Sequence, residues 1–190
     1  MSADFAAARL NMLDSQVRPA DVTDWGLQDA IGKAARESVL PAAKAFAAYA
    51  DTEVEYAPGR WLLRPRDVAK LLQTLHPQAG EKALAIAAPY AALVLEAMGL
   101  TVDRVDGEDL NAVPGAGYDL IIVEGAVARA SEAWTGALAL GGRLGLVERA
   151  GPAGKATVYV RAEDGVGGRP VFEATPPWLA GFEPVHGFAF

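Results

Sequence analysis

The sequence predicts an α/β fold built on a doubly wound, mainly parallel sheet. The first observation is the stretch Lys82–Gly107, which follows the order strand, tight turn, buried helix, strand found in nucleotide-binding sheets. The second is the run Tyr118–Glu124, whose β-favouring residues lie between turn residues, as in a strand buried on both faces. The third is the helical periodicity of most of the residues before Lys82.

The composition restricts the class of protein before any motif is considered. The 190 residues are 52% hydrophobic, enough for one domain with its own core, and the net charge is −7 with a pI near 4.8. That charge disfavours nucleic acid and anionic membranes as main partners. Without an apolar run of membrane-spanning length or a signal-peptide pattern, a cytoplasmic protein is expected. The lack of cysteine excludes disulfides and thiolate chemistry, and the separation of His76 from His186 argues against a metal site.

Residues 1–78 are expected to be an N-terminal helical segment that packs on the sheet of residues 79–190, so that 1–190 is a single domain. Each predicted helix has one apolar face that needs a partner to bury it. The elements expected here are a helix over Ala3–Leu13, a helix capped by Thr23 or Asp24, a short helix from Pro41 through Tyr49, an irregular arm over Asp51–Leu63 and a helix that starts at Pro65.

The sheet region follows in an alternating order and ends in an antiparallel hairpin. Strands are predicted at Ala83–Ala87, Leu100–Val105, Tyr118–Glu124 and Leu144–Val147. One helix is predicted at Ala91–Met98. A second helix is predicted to be capped by Ser131, to contain Trp134, Ala137 and Leu138, and to end at Gly141-Gly142. The segments Ala156–Arg161 and Arg169–Ala174 flank a turn-rich stretch and predict the hairpin, with Pro170 near its edge. The aromatic tail Pro176–Phe190 is expected to pack on the sheet.

Several single residues are candidates for binding, each with an ordinary structural alternative. Asp106 follows the second strand, where an acidic residue can bind a ribose, although Asp-Gly is also a common solvated turn. Glu124 lies at the carboxyl edge of the strongest strand, where it is either a site residue or a cap. Arg18 and Arg60 could each pair with a substrate carboxylate or remain solvated. Trp61 could form a binding face, or belong to the core or an interface.

The order of several segments along the chain is similar to that of the protein-L-isoaspartate O-methyltransferase family. The segments that carry the resemblance are Asp14–Pro19, Ala35–Pro41, Ala48–Asp51, Gly59–Pro65, Tyr118–Ala126 and Gly141–Leu144. The resemblance implies a Rossmann-like, class I methyltransferase fold that binds S-adenosylmethionine and methylates the α-carboxyl of isoaspartyl residues, a protein-repair reaction that needs no metal. It places cofactor contacts at Ala87, Ala88, Asp106 and Glu124, and substrate contacts at Arg60 and Trp61.

Three departures from the family pattern concern the sites themselves. Ala85 stands in place of an acidic residue, and the cofactor turn Ala87–Tyr90 contains no glycine, whose backbone freedom allows close approach to a ligand. Leu63 replaces the serine of the substrate loop. Only about 20 residues separate Met98 from Tyr118, so the sheet is expected to be shortened by about one helix–strand unit.

These departures leave three functions open. The first is a degenerate family member, a pseudoenzyme without catalytic residues, in which cofactor binding is weakened or lost. The second is a working methyltransferase that binds the cofactor along a different backbone path. The third is a binding or dimerisation module on the same fold, with isoaspartyl-containing proteins or a second copy of the chain as partner.

Overall fold

A computed structural model describes residues 4–185 and contains a six-stranded sheet with the strand order β4-β3-β5-β6-β7-β8. The strands are β1 Val54–Ala57, β2 Arg60–Leu62, β3 Lys82–Ile86, β4 Thr101–Val105, β5 Tyr118–Val127, β6 Leu138–Arg149, β7 Gly154–Ala162 and β8 Gly165–Glu173. The helices are α1 Phe5–Met12, α2 Trp25–Lys33, α3 Pro65–Leu75, α4 Pro89–Ala97 and α5 Glu132–Gly136. Strands β4, β3, β5 and β6 are parallel, and β7 and β8 continue the sheet as the expected antiparallel hairpin. The predicted fold class is confirmed.

The N-terminal helices cover one face of the sheet. Asp24 caps α2 by accepting from the Leu27 amide at 2.9 Å, and Pro65 opens α3. One continuous apolar core joins side chains from both parts of the chain, including Leu27, Ile31, Leu71 and Leu72 from the first part and Ala85, Ala91, Val94, Leu120 and Ile122 from the second. The division at residue 78 stays a prediction, but this shared core gives the helices the partner that their apolar faces require.

The opposite face is covered by shorter elements, and here the missing helix–strand unit is evident. Residues 106–117 connect β4 to β5 without a helix or a strand. Leu110 in this connection is buried, and its carbonyl accepts from Trp134 Nε1 at 2.8 Å. Trp134 of α5 also stacks on Phe182 of the C-terminal segment at 4.8 Å between ring centroids. A single connection and a short helix therefore close the core at the place of the unit that the sequence predicted to be missing.

The structure corrects several element predictions. The arm Asp51–Leu63 is not irregular, because β1 and β2 form an antiparallel ribbon around Pro58-Gly59. Leu138 and Gly141-Gly142 belong to β6 rather than to a helix and its end, and the positive φ of Gly141 accompanies a register shift against β5. The first helix does not end at Leu13, because a widened helical turn over Leu13–Val17 continues α1. Strand β5 runs three residues past Glu124, to Val127.

The C-terminal segment packs on the sheet as far as it is described. Trp178 bridges to Ala126 of β5, and Leu179 is fully buried. The part of the predicted tail from residue 186 onward lies outside the described residues. Within residues 4–185, none of the helices has both the length and the apolar character needed to cross a lipid bilayer.

Candidate functional site

The candidate site lies where the carboxyl ends of β3, β4 and β5 meet the first turn of α4. The turn after β3 is closely packed, because Ala87, Ala88 and Tyr90 are at most 2% exposed. Ala87 has a φ of +46°, the left-handed region that alanine adopts only at a cost, and its amide donates to the carbonyl of Val105 at 2.8 Å. The turn therefore follows a backbone path suited to glycine, with a buried methyl group on it.

Glu124 is the central polar group of this site. The alternation along β5 directs it to the same face as Ile122, and its side chain is fully buried. One carboxylate oxygen accepts from the Ala91 amide, in the first turn of α4, at 3.2 Å, and the other accepts from the Leu63 amide at 2.7 Å. An anion is favoured at a helix N-terminus, where amides lack partners. A side chain of the protein itself fills this position here.

Arg36 and Tyr90 lie near enough to this carboxylate for charge on the one group to shift the pKa of another. Arg36 is 0% exposed, donates to the carbonyls of Ala48 at 2.7 Å and of Leu63 at 2.6 Å, and lies 4.7 Å from the centre of the Tyr90 ring. Its Nη1 and the Tyr90 hydroxyl have no hydrogen-bond partner among the described residues. The backbone of Leu63 is thus bound on both sides, by Glu124 at its amide and by Arg36 at its carbonyl.

Burial sets the protonation of this cluster. Desolvation raises the pKa of Glu124 to about 7, and the opposing charge of Arg36 and the amides of Leu63 and Ala91 offset only part of that shift. Desolvation also lowers the pKa of Arg36 and raises that of Tyr90. Burial therefore disfavours the charged form of both Glu124 and Arg36.

Asp106 lies directly after β4 and is bonded to the β1–β2 ribbon. The Tyr56 hydroxyl lies 2.9 Å from each of its carboxylate oxygens, and Arg60 Nε is 3.7 Å from one of them. Arg60 also donates to the carbonyl of Gly107 at 2.7 Å. Partial burial raises the pKa of Asp106, and the Tyr56 hydrogen bond opposes that shift. The ribbon therefore covers the position at which a ribose was expected.

The remaining candidates lie in different surroundings. Trp61 is half-buried on β2, opposite Glu55. Leu63 is 1% exposed and therefore lies in the interior. Arg18 pairs with Asp14 on the next helical turn, outside this cluster.

The sequence analysis predicted that four candidates lie at one edge of the sheet: Ala87, Ala88, Asp106 and Glu124. It did not identify Arg36 and Tyr56. Arg36 is part of a segment that the resemblance singled out, yet nothing in its neighbours distinguishes it from a solvated arginine. Tyr56 was missed because its segment was interpreted as an irregular arm. The ribbon pattern VEYA-PG-RWL, a short β-favouring run on each side of Pro-Gly, was the available signal.

The sheet order and the site at the carboxyl ends of its first parallel strands define the class, an α/β protein with the class I methyltransferase fold. A Plasmodium falciparum protein assigned as protein-L-isoaspartate O-methyltransferase, solved with S-adenosyl-L-homocysteine, superimposes with a TM-score of 0.72 at 14% identity over 94% of this chain and 99% of its own. A second solved protein-L-isoaspartate O-methyltransferase gives a TM-score of 0.70 at 17% identity, over 91% of this chain and 66% of its own.

Sequence comparison identifies the family. The protein-L-isoaspartate O-methyltransferase of Methylorubrum populi is 32% identical over 179 residues, which cover 80% of this chain and 84% of that protein. Protein-L-isoaspartate O-methyltransferase 1 of Rhodopseudomonas palustris is 28% identical over 168 residues, 74% of this chain and 69% of that protein. No protein-family model matches the chain. The chain belongs to the protein-L-isoaspartate O-methyltransferase family.

The contacts at this edge do not fit an S-adenosyl group bound in the usual way, at the turn after the first strand. The Ala91 amide already donates to Glu124, and Pro89 has no N–H to offer. The Tyr56 hydroxyl, 2.9 Å from both oxygens of Asp106, donates to this carboxylate. The Ala91 amide and the Asp106 carboxylate, two groups that could hold such a ligand, are therefore already hydrogen-bonded within the chain.

Proposed function

We propose that this chain is a non-catalytic member of the protein-L-isoaspartate O-methyltransferase family, which acts by binding and not by methyl transfer. The observation that carries the proposal is the buried Glu124 carboxylate, bonded to the Ala91 amide at the N-terminus of α4 and to the Leu63 amide. A bound cofactor would have to displace a buried carboxyl group that accepts from two amides, near a buried arginine. Loss of S-adenosylmethionine binding is the expected consequence.

The proposed partners are proteins that contain isoaspartyl residues, recognised at the β1–β2 ribbon. The ribbon occupies the position of the family's substrate loop, and it presents the half-buried Trp61 beside Arg60. Arg60 Nη1 is a buried donor without a hydrogen-bond partner among the described residues, which suits a carboxylate that enters beside it. The β1–β2 turn also contacts the C-terminal segment, since the Gly59 carbonyl accepts from the Ala180 amide at 3.1 Å.

Two assays on the full chain test this proposal. Transfer of a labelled methyl group from S-adenosylmethionine to an isoaspartyl peptide is expected to be absent under conditions in which an active family member turns over. Fluorescence anisotropy without cofactor is expected to show saturable binding of the isoaspartyl peptide, weaker binding of the aspartyl peptide of the same sequence, and loss of binding in Trp61→Ala. Trp25→Ala, at an exposed tryptophan on α2, is the matched control and should bind normally. Equal binding of both peptides contradicts the proposed partner.

A working methyltransferase is the second candidate, and one observation favours it. Ala87 keeps the positive φ at which a glycine-rich turn lets its backbone approach a ligand. If a cofactor displaced the Glu124 carboxylate from the Ala91 amide of α4, that backbone path would still be available. Methyl transfer to the isoaspartyl peptide in the first assay would show that the chain is a working methyltransferase.

A homodimer and a cytoplasmic location are further proposals. The sheet edge left open by the missing unit, β4, presents Asp103 and Arg104, and charged side chains on an edge strand disfavour pairing with another strand. The more apolar surface lies on the N-terminal helices, where Leu10 is 61% and Trp25 is 78% exposed beside one groove. Light scattering of wild type and Trp25→Glu tests that surface. The cytoplasmic location is proposed from the acidic pI and the lack of cysteine.

A further inference from the structure

A second site lies at the carboxyl ends of β5 and β6, two strands away from the Asp106 edge. An open cavity of about 640 Å³ is lined there by the residues that follow these strands and by one face of the β7–β8 hairpin. Its volume is in the range of about 300–1,000 Å³ typical of small-molecule sites. None of its lining residues belongs to the cluster around Glu124.

The cavity concentrates positive charge in an acidic protein. Most lysine and arginine side chains pair with a carboxylate, but Arg129, Arg149 and Lys155, which line this cavity, form no such pair among residues 4–185. Arg129 and Lys155 are exposed at the rim, and their side chains make no hydrogen bond within the described part of the chain. A local cationic surface on a chain with a net charge of −7 attracts anions to that place in particular.

The third cation is held in a fixed position. Arg149 donates to the carbonyls of Gly151 at 2.7 Å and Pro176 at 3.1 Å, and its guanidinium lies 5.0 Å from the centre of the Trp178 ring. These contacts use hydrogen-bond donors of Arg149 but leave its charge without a counter-ion. Arg149 therefore contributes a fixed positive potential to one wall, while the two rim side chains are free to bind a ligand directly.

The floor of the cavity is apolar and closely packed. The Tyr159 ring packs against Gly168 so closely that a Cβ added to this glycine would lie 2.6 Å from the ring. Pro170 extends the same floor. The Tyr159 hydroxyl donates to Oε1 of Glu148, and the Ala130 amide donates to the same oxygen at 3.1 Å. Glu148 is the one carboxylate of the lining, and these donors offset its charge.

We propose that this cavity binds a small organic anion, with its carboxylate or phosphate group at Arg129 and Lys155 and its apolar part against Tyr159 and Pro170. The lining contains three cationic side chains and one carboxylate, and this excess gives the site its preference for anions. The flat apolar floor makes an aromatic or alicyclic group the best fit for the remainder of the ligand. The proposal does not depend on whether the chain binds S-adenosylmethionine.

Calorimetric titration of the full chain with phenyl phosphate and with benzoate tests this site, with inorganic phosphate as the probe that lacks an apolar part. Saturable binding of at least one aromatic anion, tighter than that of inorganic phosphate, is expected. Arg129→Gln and Lys155→Gln should each weaken it by about fivefold, the size expected for an exposed ion pair. Binding should also weaken as salt is added.

Arg169→Gln is the matched control, because Arg169 is also exposed and unpaired but lines a different groove on the hairpin. It changes the net charge by the same amount and should leave binding unchanged. Equal weakening by Arg169→Gln, equal affinity for inorganic phosphate, or no saturable binding of either aromatic anion overturns the proposal. Circular dichroism of each variant establishes that it is folded before binding is compared.

Discussion

Replacing Glu124 by glutamine is expected to change how the stability of this protein depends on pH. The pKa of Glu124 is raised from 4.5 to about 7 in the folded chain, a shift that corresponds to about 3 kcal/mol against the charged form. The folded protein therefore holds this proton more tightly than the unfolded chain does. Between pH 4.5 and pH 7, the free energy of unfolding contributed by Glu124 falls as the pH rises.

The Glu124→Gln variant lacks this titration but keeps the shape of the side chain. At pH 4.5 it should be less stable than wild type by about 1–3 kcal/mol, because an amide group places a donor where an oxygen accepted from Ala91 or Leu63. By pH 7.5 the wild type should have lost about 3 kcal/mol relative to the variant, so the difference should vanish or change sign.

Urea denaturation followed by tryptophan fluorescence at several pH values between 4.5 and 7.5 measures this difference. Other titrating groups are common to both proteins and cancel in the comparison. Glu108→Gln, at an exposed glutamate after β4, is the control and should follow the wild-type curve. Parallel curves for wild type and Glu124→Gln would refute the reasoning about the buried carboxylate.

Three further substitutions test the surrounding contacts. Tyr56→Phe removes the hydroxyl that holds the carboxylate after β4 and should lower the free energy of unfolding in urea by about 1 kcal/mol; no change contradicts the closing role of the ribbon. Gly168→Ala should cost about 1–3 kcal/mol because its methyl group would meet the Tyr159 ring at 2.6 Å, whereas Gly167→Ala, which meets nothing within 4 Å, is the control in the same thermal melt. Leu63→Ser should cost about 3 kcal/mol at this buried position without producing isoaspartyl methylation, and any methyl transfer by it overturns that expectation.

The sequence was sufficient for the order of the sheet elements because buried parallel strands and amphipathic helices leave strong local patterns. The run Tyr118–Glu124 was found for this reason, whereas the hairpin around Glu163 was found from the turn residues between its strands. The observed lengths differ from the predicted ones by only a few residues. The β1–β2 ribbon was missed because each strand is at most four residues long, too short for its alternation to stand out from an irregular segment.

The chemistry of the site was less accessible from sequence. The loss of glycine at the turn was visible in the sequence, and the structure buries Tyr90 at that turn. The cap that Glu124 forms on α4 depends on the distance between two elements that are more than 30 residues apart. The burial of Arg36 depends on three segments that converge, and no local pattern records such convergence.

Calorimetric titration with S-adenosyl-L-homocysteine tests the central claim most directly, because this demethylated form of the cofactor needs no substrate peptide and is not consumed. An active family member in the same buffer serves as the positive control. The internal contacts of Glu124 and Asp106 predict no binding tighter than about 1 mM for this chain, since two or three displaced hydrogen bonds together remove about three decades of affinity. A dissociation constant in the micromolar range would contradict the account.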